Sequence, residues 1–144
     1  MRVRTVILGA IATIAVASTS FVAGVSLGQD KSARVYELRT YTTLPGRLPA
    51  LNKRFADHTM KFFEKHGMRN ESYWLPADDP AGAGTTLVYL LSHASREAAD
   101  VSWKAFQADP EWLKVRDASE ADGKILAKAP ERQWLVLTAY SPAR

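Results

Sequence analysis

The stretch TTLVYLLS at residues 85–92 constrains the fold of this chain more than any other segment. It carries no charged side chain, and its Thr, Val, Leu and Tyr residues are typical of β-strands. Successive side chains point to opposite faces of a strand, so both faces of this one are apolar. Such a strand is expected in the middle of a sheet that is covered on both sides.

An amphipathic helix is predicted over residues 48–67, LPALNKRFADHTMKFFEKHG. Its apolar residues recur at the three- and four-residue spacing that places side chains on one helix face. Pro49 suits the first turn, and Gly67 suits a left-handed residue after the last one. The predicted apolar face consists of Leu48, Leu51, Phe55 and Phe62.

Three more strands and a second, interrupted helix complete the pattern. The strands are predicted within residues 31–43, 68–75 and 131–140. Ser95 is a candidate N-cap of the second helix, and Asp109-Pro110 is a new helix start that interrupts it. The order βαββαβ predicts an α+β, ferredoxin-like domain: a four-stranded antiparallel sheet with both helices on one face.

Two helices on one side leave the other face of this sheet uncovered. Large apolar side chains there would form a patch beyond the few hundred Å² that monomers usually expose. A second copy of the chain, packed sheet to sheet, would cover it. We therefore expect a homodimer through the sheet face.

The first residues are typical of an export signal. Arg2 and Arg4 precede an uncharged apolar run that reaches Gln29 and ends in small residues. We expect residues 1–28 to be a signal peptide, residues 29–144 to be a single domain, and the protein to be exported to the periplasm or secreted. An uncleaved anchor is the alternative, and only in that case would the protein contact a membrane.

Composition and motifs exclude several functional classes. The chain has no cysteine, so disulfides, thiolate zinc sites and cysteine nucleophiles are excluded. Its 19 basic and 15 acidic residues form no basic run, which disfavours nucleic-acid binding. No phosphate loop, dinucleotide fingerprint or metal motif is present, so we expect no cofactor and no metal.

Two histidines of the first helix are candidate site residues. His58 and His66 are predicted on or near its apolar face, with Cα atoms ~12 Å apart, too far to share one metal ion. We expect His58 to be shielded from water beside Phe55 and Phe62. It is either a hydrogen-bonded core residue or the proton acceptor or hydrogen-bond donor of a pocket between helices and sheet.

The other candidates are aromatic or charged residues with two interpretations. Arg39 and Tyr41 share one face of the first strand with Glu37, where they form either an ion pair with packing or an anion-holding lining. The aromatic rings are either core and interface residues or platforms for a ligand. Those in the candidate pocket are Trp74, Tyr89 and Trp103.

Three blocks, YELRTYTTLPGRLPAL at 36–51, FFEKHG at 62–67 and FQADPEWLKV at 106–115, resemble the NIPSNAP family of the dimeric α/β-barrel superfamily. The resemblance implies a face-to-face dimer. It leaves two functional classes. The first is a non-enzymatic interaction or small-molecule-binding module. The alternative is a cofactor-free or haem-related, monooxygenase-like oxidoreductase that acts on a small organic molecule near His58.

Overall fold

The structure is a computed structural model that describes residues 34–142. Its strands are β1 (Val35–Thr42), β2 (Arg69–Trp74), β3 (Thr86–His93) and β4 (Glu131–Leu135). Its helices are α1 (Leu48–Arg54), α2 (Met60–Lys65), α3 (Arg96–Ala108) and α4 (Pro110–Ser119). A π-helical segment, Phe55–Thr59, joins α1 to α2. The predicted export segment, residues 1–28, lies outside the described residues. Within residues 34–142, no helix combines the length and apolar character that a membrane crossing requires.

The sheet is antiparallel throughout, with strand order β2-β3-β1-β4. This order and the βαββαβ succession confirm the predicted ferredoxin-like fold. Strand β3 lies in the interior of the sheet, as its sequence indicates, and β2 lies at its edge. The helices cover the face that carries Leu87, Tyr89 and Leu91, which are all buried.

The helix boundaries follow the predicted capping residues. The Ser95 hydroxyl accepts a hydrogen bond from the Ala98 N–H at the start of α3. The Asp109 carboxylate accepts one from the Glu111 N–H at the start of α4. Gly67 has a φ of +80°, a left-handed conformation that costs glycine little. These local signals fix where each helix begins and ends.

The core lies between the helices and one face of the sheet. Phe63 is fully buried, and its ring packs against those of Tyr89, Trp103 and Phe106 at centroid distances of 5.9, 5.4 and 5.1 Å. The tilted and edge-on arrangements are the favourable ones for aromatic pairs. This cluster joins β3, α2 and α3 into one unit.

Phe62, which was predicted on the apolar face of the first helix, is only half-buried, and the fully buried residue near the end of this helix is Phe63. The side chains that face the core recur every four residues, whereas an ideal helix has 3.6 residues per turn and would drift away from this spacing. The π-helical segment absorbs the drift, because the Met60 N–H donates to the Phe55 carbonyl five residues earlier. The side chains at this four-residue spacing, Leu51, Phe55, Thr59 and Phe63, are all buried, and Phe62 is half-buried.

The last strand is shorter than the predicted 131–140. Leu135 pairs with Tyr36, and β1 begins at Val35, so β4 reaches the end of its partner strand. Beyond this point Val136 and Tyr140 are 80% and 87% exposed. Strand propensity continues in the sequence, but the described part of the chain offers no further partner strand to accept the hydrogen bonds.

The helices within residues 34–142 leave the opposite face of the sheet uncovered. Leu38 and Leu90 lie opposite each other on it, and Trp74, 50% exposed, lies opposite Val88. At one end of this face the Arg34 guanidinium donates to Ser92, and the Ser92 hydroxyl donates to Glu71. The face is thus apolar in its middle and polar at that end.

Candidate functional site

A cavity of about 420 Å³ opens between β1 and the helices. Strand β1 contributes two side chains that were predicted from sequence, Arg39 and Tyr41, and α3 contributes a third, Trp103. The other elements add residues that were not predicted as site residues, among them Arg54, Phe106, Trp112, Arg116 and Glu120. We call this cavity the helix–sheet pocket. It lies where small ligands bind in helix-on-sheet domains.

Aromatic rings form the walls of the helix–sheet pocket. Tyr41 meets Phe55 edge-on at 5.7 Å, and Trp103 meets Phe106 edge-on at 5.6 Å. Phe106 is in turn 4.4 Å from Trp112, measured between ring centroids. Because each ring is fixed by another, the walls are preorganised and present flat apolar surfaces to a ligand.

A buried carboxylate beneath the pocket positions two of its lining residues. Glu37 is fully buried and accepts hydrogen bonds from Trp103 Nε1 at 2.7 Å and Arg39 Nη1 at 3.1 Å; its second oxygen is also 2.8 Å from His93 Nε2. The Arg39 guanidinium carbon lies 4.5 Å from the centroid of the Trp103 ring. Glu37 therefore holds a cation and an indole in contact with each other.

Glu37 is ionised although its side chain is buried. Burial raises the pKa of Glu37, but the hydrogen bonds from His93 and Trp103 and the positive charge of Arg39 outweigh it and hold the pKa below its usual value. The carboxylate is therefore ionised at neutral pH. The pair Glu37 and His93 arises because His93 stands at the end of β3, opposite Val35 at the start of β1.

Arg54 is the second buried cation of the pocket. Only 5% of it is exposed, and its Nη1 donates to Ser119 Oγ at 3.1 Å and lies 3.5 Å from Glu120. Burial lowers the pKa of Arg54 and the attraction of Glu120 offsets part of this, yet a guanidinium stays charged at neutral pH. The inward position of Arg54 could have been predicted from the sequence, because Arg54 follows Leu51 by three residues and therefore lies near the apolar face of the helix.

His58 does not lie in the helix–sheet pocket. It is exposed, so the prediction that it is shielded from water is wrong. The residue that the π-helical segment turns inward is its neighbour Thr59, whose hydroxyl donates to the Arg54 carbonyl at 3.1 Å. His58 instead borders a surface groove of about 460 Å³ between α1 and α4, together with Lys53 and Lys114.

His66 has a structural position at the end of the first helix. Its Nε2 lies 2.7 Å from Asp109, and Lys65 lies 2.9 Å from the same carboxylate. The hydrogen bond from Lys65 is the main cause that holds the pKa of Asp109 well below its usual range; burial opposes it, and His66 and the backbone N–H groups of Glu111 and Trp112 contribute in the same direction. Asp109 thus ties α2 to the junction of α3 and α4.

The two remaining predicted residues, Trp74 and Tyr89, are not in the pocket lining. Trp74 lies on the opposite, open face of the sheet. Tyr89 is fully buried behind Tyr41, with ring centroids 5.3 Å apart, and burial raises the pKa of its hydroxyl well above the usual value. The structure therefore brings together Arg39, Tyr41 and Trp103, and separates them from His58, His66, Trp74 and Tyr89. Among residues 34–142, no group of three or more metal-ligating side chains is assembled.

The fold is shared with solved structures of low sequence identity. A NIPSNAP family protein of unknown function from Agrobacterium tumefaciens is 21% identical, with 78% of this chain and 95% of that chain covered and a TM-score of 0.64. A NIPSNAP-like domain protein from Burkholderia xenovorans is 17% identical, with coverages of 77% and 90% and a TM-score of 0.65. A monooxygenase from Streptomyces coelicolor, in complex with nanaomycin D, is 17% identical, with coverages of 78% and 95% and a TM-score of 0.55.

These likenesses show that the described domain shares its fold with these three proteins. None of the curated proteins compared matches the chain. The NIPSNAP family model matches residues 36–142, which is most of the chain and nearly all of its described part. The resemblance noted in the sequence blocks is thereby confirmed, and the chain belongs to the NIPSNAP family.

Proposed function

We propose that this protein is an exported homodimer that binds a small organic molecule in the helix–sheet pocket. The observation that supports this most is the lining itself: a preorganised aromatic box of about 420 Å³ with buried cations at its wall. Pockets for small ligands are typically 300–1,000 Å³, mostly apolar, with a few fixed polar groups. The helix–sheet pocket has each of these properties.

The homodimer part of the proposal depends on the open sheet face. Leu38, Val88 and Leu90 lie next to one another there, flanked by Trp74. A two-fold axis through this face would place the same apolar strip of each copy against the other. The helix–sheet pocket lies on the opposite side of the sheet, so each copy keeps its own pocket. Export is proposed from the first residues of the sequence alone.

A cofactor-free or haem-related oxidoreductase remains the second candidate, and the fold shared with the Streptomyces coelicolor monooxygenase favours it. The site would have to differ from the one predicted, because His58 does not line the pocket. Glu120 is the lining carboxylate that could accept a proton from a bound phenol, and the Tyr41 hydroxyl could donate a hydrogen bond to the resulting phenolate. Oxygen uptake with 1-naphthol as a probe, lost in Tyr41→Phe and Glu120→Gln, would support an oxidase. Its absence would leave the binding function alone.

Binding is tested with N-phenyl-1-naphthylamine, a neutral planar molecule whose fluorescence rises in apolar surroundings. Gln107 is exposed and lines the pocket from α3, so Gln107→Trp is expected to fill the entrance and remove binding. Ala105→Trp is the matched control, because Ala105 is exposed on the same helix but does not line the pocket. Equal binding by the wild type and Gln107→Trp would refute the assignment of the pocket.

A further inference from the structure

We infer that the ligand of the helix–sheet pocket is an organic anion, a planar molecule with a carboxylate or another acidic oxygen that Arg39 and Arg54 bind from two walls of the pocket. This inference depends on the proposed binding function and names its ligand class. Its basis is a set of guanidinium groups whose hydrogen bonds are only partly satisfied.

Arg54 has more donors than acceptors. Its Nη1 donates to Ser119, and its carboxylate contact with Glu120 is long at 3.5 Å. Its Nε is buried with no acceptor, and its Nη2 donates to no residue in the described part of the chain. A guanidinium has five N–H donors. A buried cation with most of its donors unused costs free energy unless an anion completes it.

Arg39, which lines the pocket from β1, presents a similar imbalance. One Nη donates to Glu37, its Nε is buried without an acceptor, and the Tyr41 hydroxyl is another polar group that interacts with the guanidinium. His93 and Trp103 occupy the second oxygen of Glu37, and its first oxygen accepts one hydrogen bond, from Arg39 Nη1. The stacking on Trp103 fixes the plane of the guanidinium. Arg39 is therefore an oriented donor pair beside a flat apolar wall.

The lining of the pocket has a net positive charge, which also favours an anionic ligand. Arg39, Arg54 and Arg116 all line the pocket, and Glu120 is its one acidic side chain. Arg116 is exposed at the rim, where it also pairs with Asp117 at 2.8 Å. The acidic group of a ligand would lie between Arg39 and Arg54, and its planar body would contact the aromatic walls, as mixed apolar and charged sites require.

The competing interpretation is that Arg54 only ties α1 to α4. Anion binding and this purely structural role are distinguished by comparing 1-anilinonaphthalene-8-sulfonate with N-phenyl-1-naphthylamine. The two probes share the same aromatic skeleton, and only the first carries an anionic group. The affinity ratio of anionic to neutral probe is measured for wild type, Arg54→Gln, Arg39→Gln and the control Arg47→Gln. Arg47 pairs with Asp122 at 2.7 Å and does not line the pocket.

We expect the affinity ratio to fall about tenfold in Arg54→Gln and in Arg39→Gln and to stay unchanged in Arg47→Gln, because one charge-assisted hydrogen bond is lost. Arg54→Lys, which keeps the charge, should recover part of the ratio. Thermal melting confirms that each variant is folded. If only one of Arg54→Gln and Arg39→Gln is folded, that variant alone is compared with the wild type.

An unchanged ratio in both buried variants, with the neutral probe still bound, would overturn the anion inference and leave the pocket assignment intact. Anionic-probe binding that survives Gln107→Trp would place the anion elsewhere and also overturn it. Failure of both probes to bind the wild-type protein would overturn the binding function itself.

Discussion

Replacing Glu37 with Gln perturbs the pocket from below while keeping the shape of the side chain. The Glu37 carboxylate is surrounded by His93, Trp103 and Arg39. A glutamine oxygen can still accept from Trp103 and face His93. Its NH₂ group then faces Arg39 Nη1 at the 3.1 Å distance of the present hydrogen bond, so two donors oppose each other.

The magnitude follows from these contacts. One charge-assisted hydrogen bond, about 1.5–3 kcal/mol, is lost outright. The two contacts that remain change from charge-assisted to neutral and become weaker. Arg39 also loses the counter-charge it has inside the protein, and removing one partner of a buried pair typically costs about 3–5 kcal/mol. Because Arg39 is 13% exposed, water screens part of this, and we expect a loss of about 3 kcal/mol in the free energy of unfolding.

The assay is urea unfolding at pH 7, followed by tryptophan fluorescence. Glu131→Gln is the control, because Glu131 is exposed on β4 and its loss should cost less than about 0.5 kcal/mol. A loss below about 1 kcal/mol for Glu37→Gln would refute the argument that the carboxylate is an ionised, buried acceptor. Such a result would mean that the charge of Glu37 does not contribute to the free energy of unfolding.

The same measurement as a function of pH gives an independent check. The pKa of Glu37 in the folded protein is below the usual 4.5, so its charge contributes stability above that pH. This contribution is lost as the pH falls through the folded pKa, because protonation removes the carboxylate in both states. The stability difference between wild type and Glu37→Gln should therefore be full at neutral pH and shrink below pH 4.5.

Other outcomes follow from the fold. Phe63→Ala should cost about 3–5 kcal/mol in urea unfolding and Phe62→Ala clearly less, since only Phe63 is fully buried; equal losses would contradict the four-residue spacing of the core. Sedimentation of residues 30–144 should show a dimer, and Leu90→Asp on the open sheet face should convert it to a monomer; a monomeric wild type at micromolar concentration would refute the dimer. Intact-mass measurement should find a mature chain that begins near Gln29, and retention of residues 1–28 in a membrane fraction would indicate the anchor instead. His58→Gln should leave the binding of N-phenyl-1-naphthylamine unchanged, and loss of binding would return His58 to the site.

The sequence by itself determined the order of the elements and most of their boundaries. The start signals at Ser95 and Asp109 and the glycine at 67 act within one helix turn, so neighbours along the chain are enough to predict them. The two apolar faces of 85–92 likewise required a central strand. These are local preferences or simple periodicities, and they do not depend on what packs against them.

Only the tertiary structure decided which side chains form the site. Packing against Tyr89 and Trp103 selects Phe63 over Phe62, and the π-helical segment that permits this leaves His58 in solvent. A periodicity of 3.6 residues cannot reveal such a segment, because the inserted residue is stabilised by the core and not by local propensity.

The pocket is a still stronger case of tertiary control. Arg39 on β1 and Arg54 on α1 come from different elements, and both line one cavity. His93 reaches Glu37 only because the β1–β3 register sets Val35 against His93, and a shift by one residue would turn every side chain of that strand to the other face. Register is fixed by the whole buried face at once, so the residues that surround a ligand are determined by contacts distant in sequence.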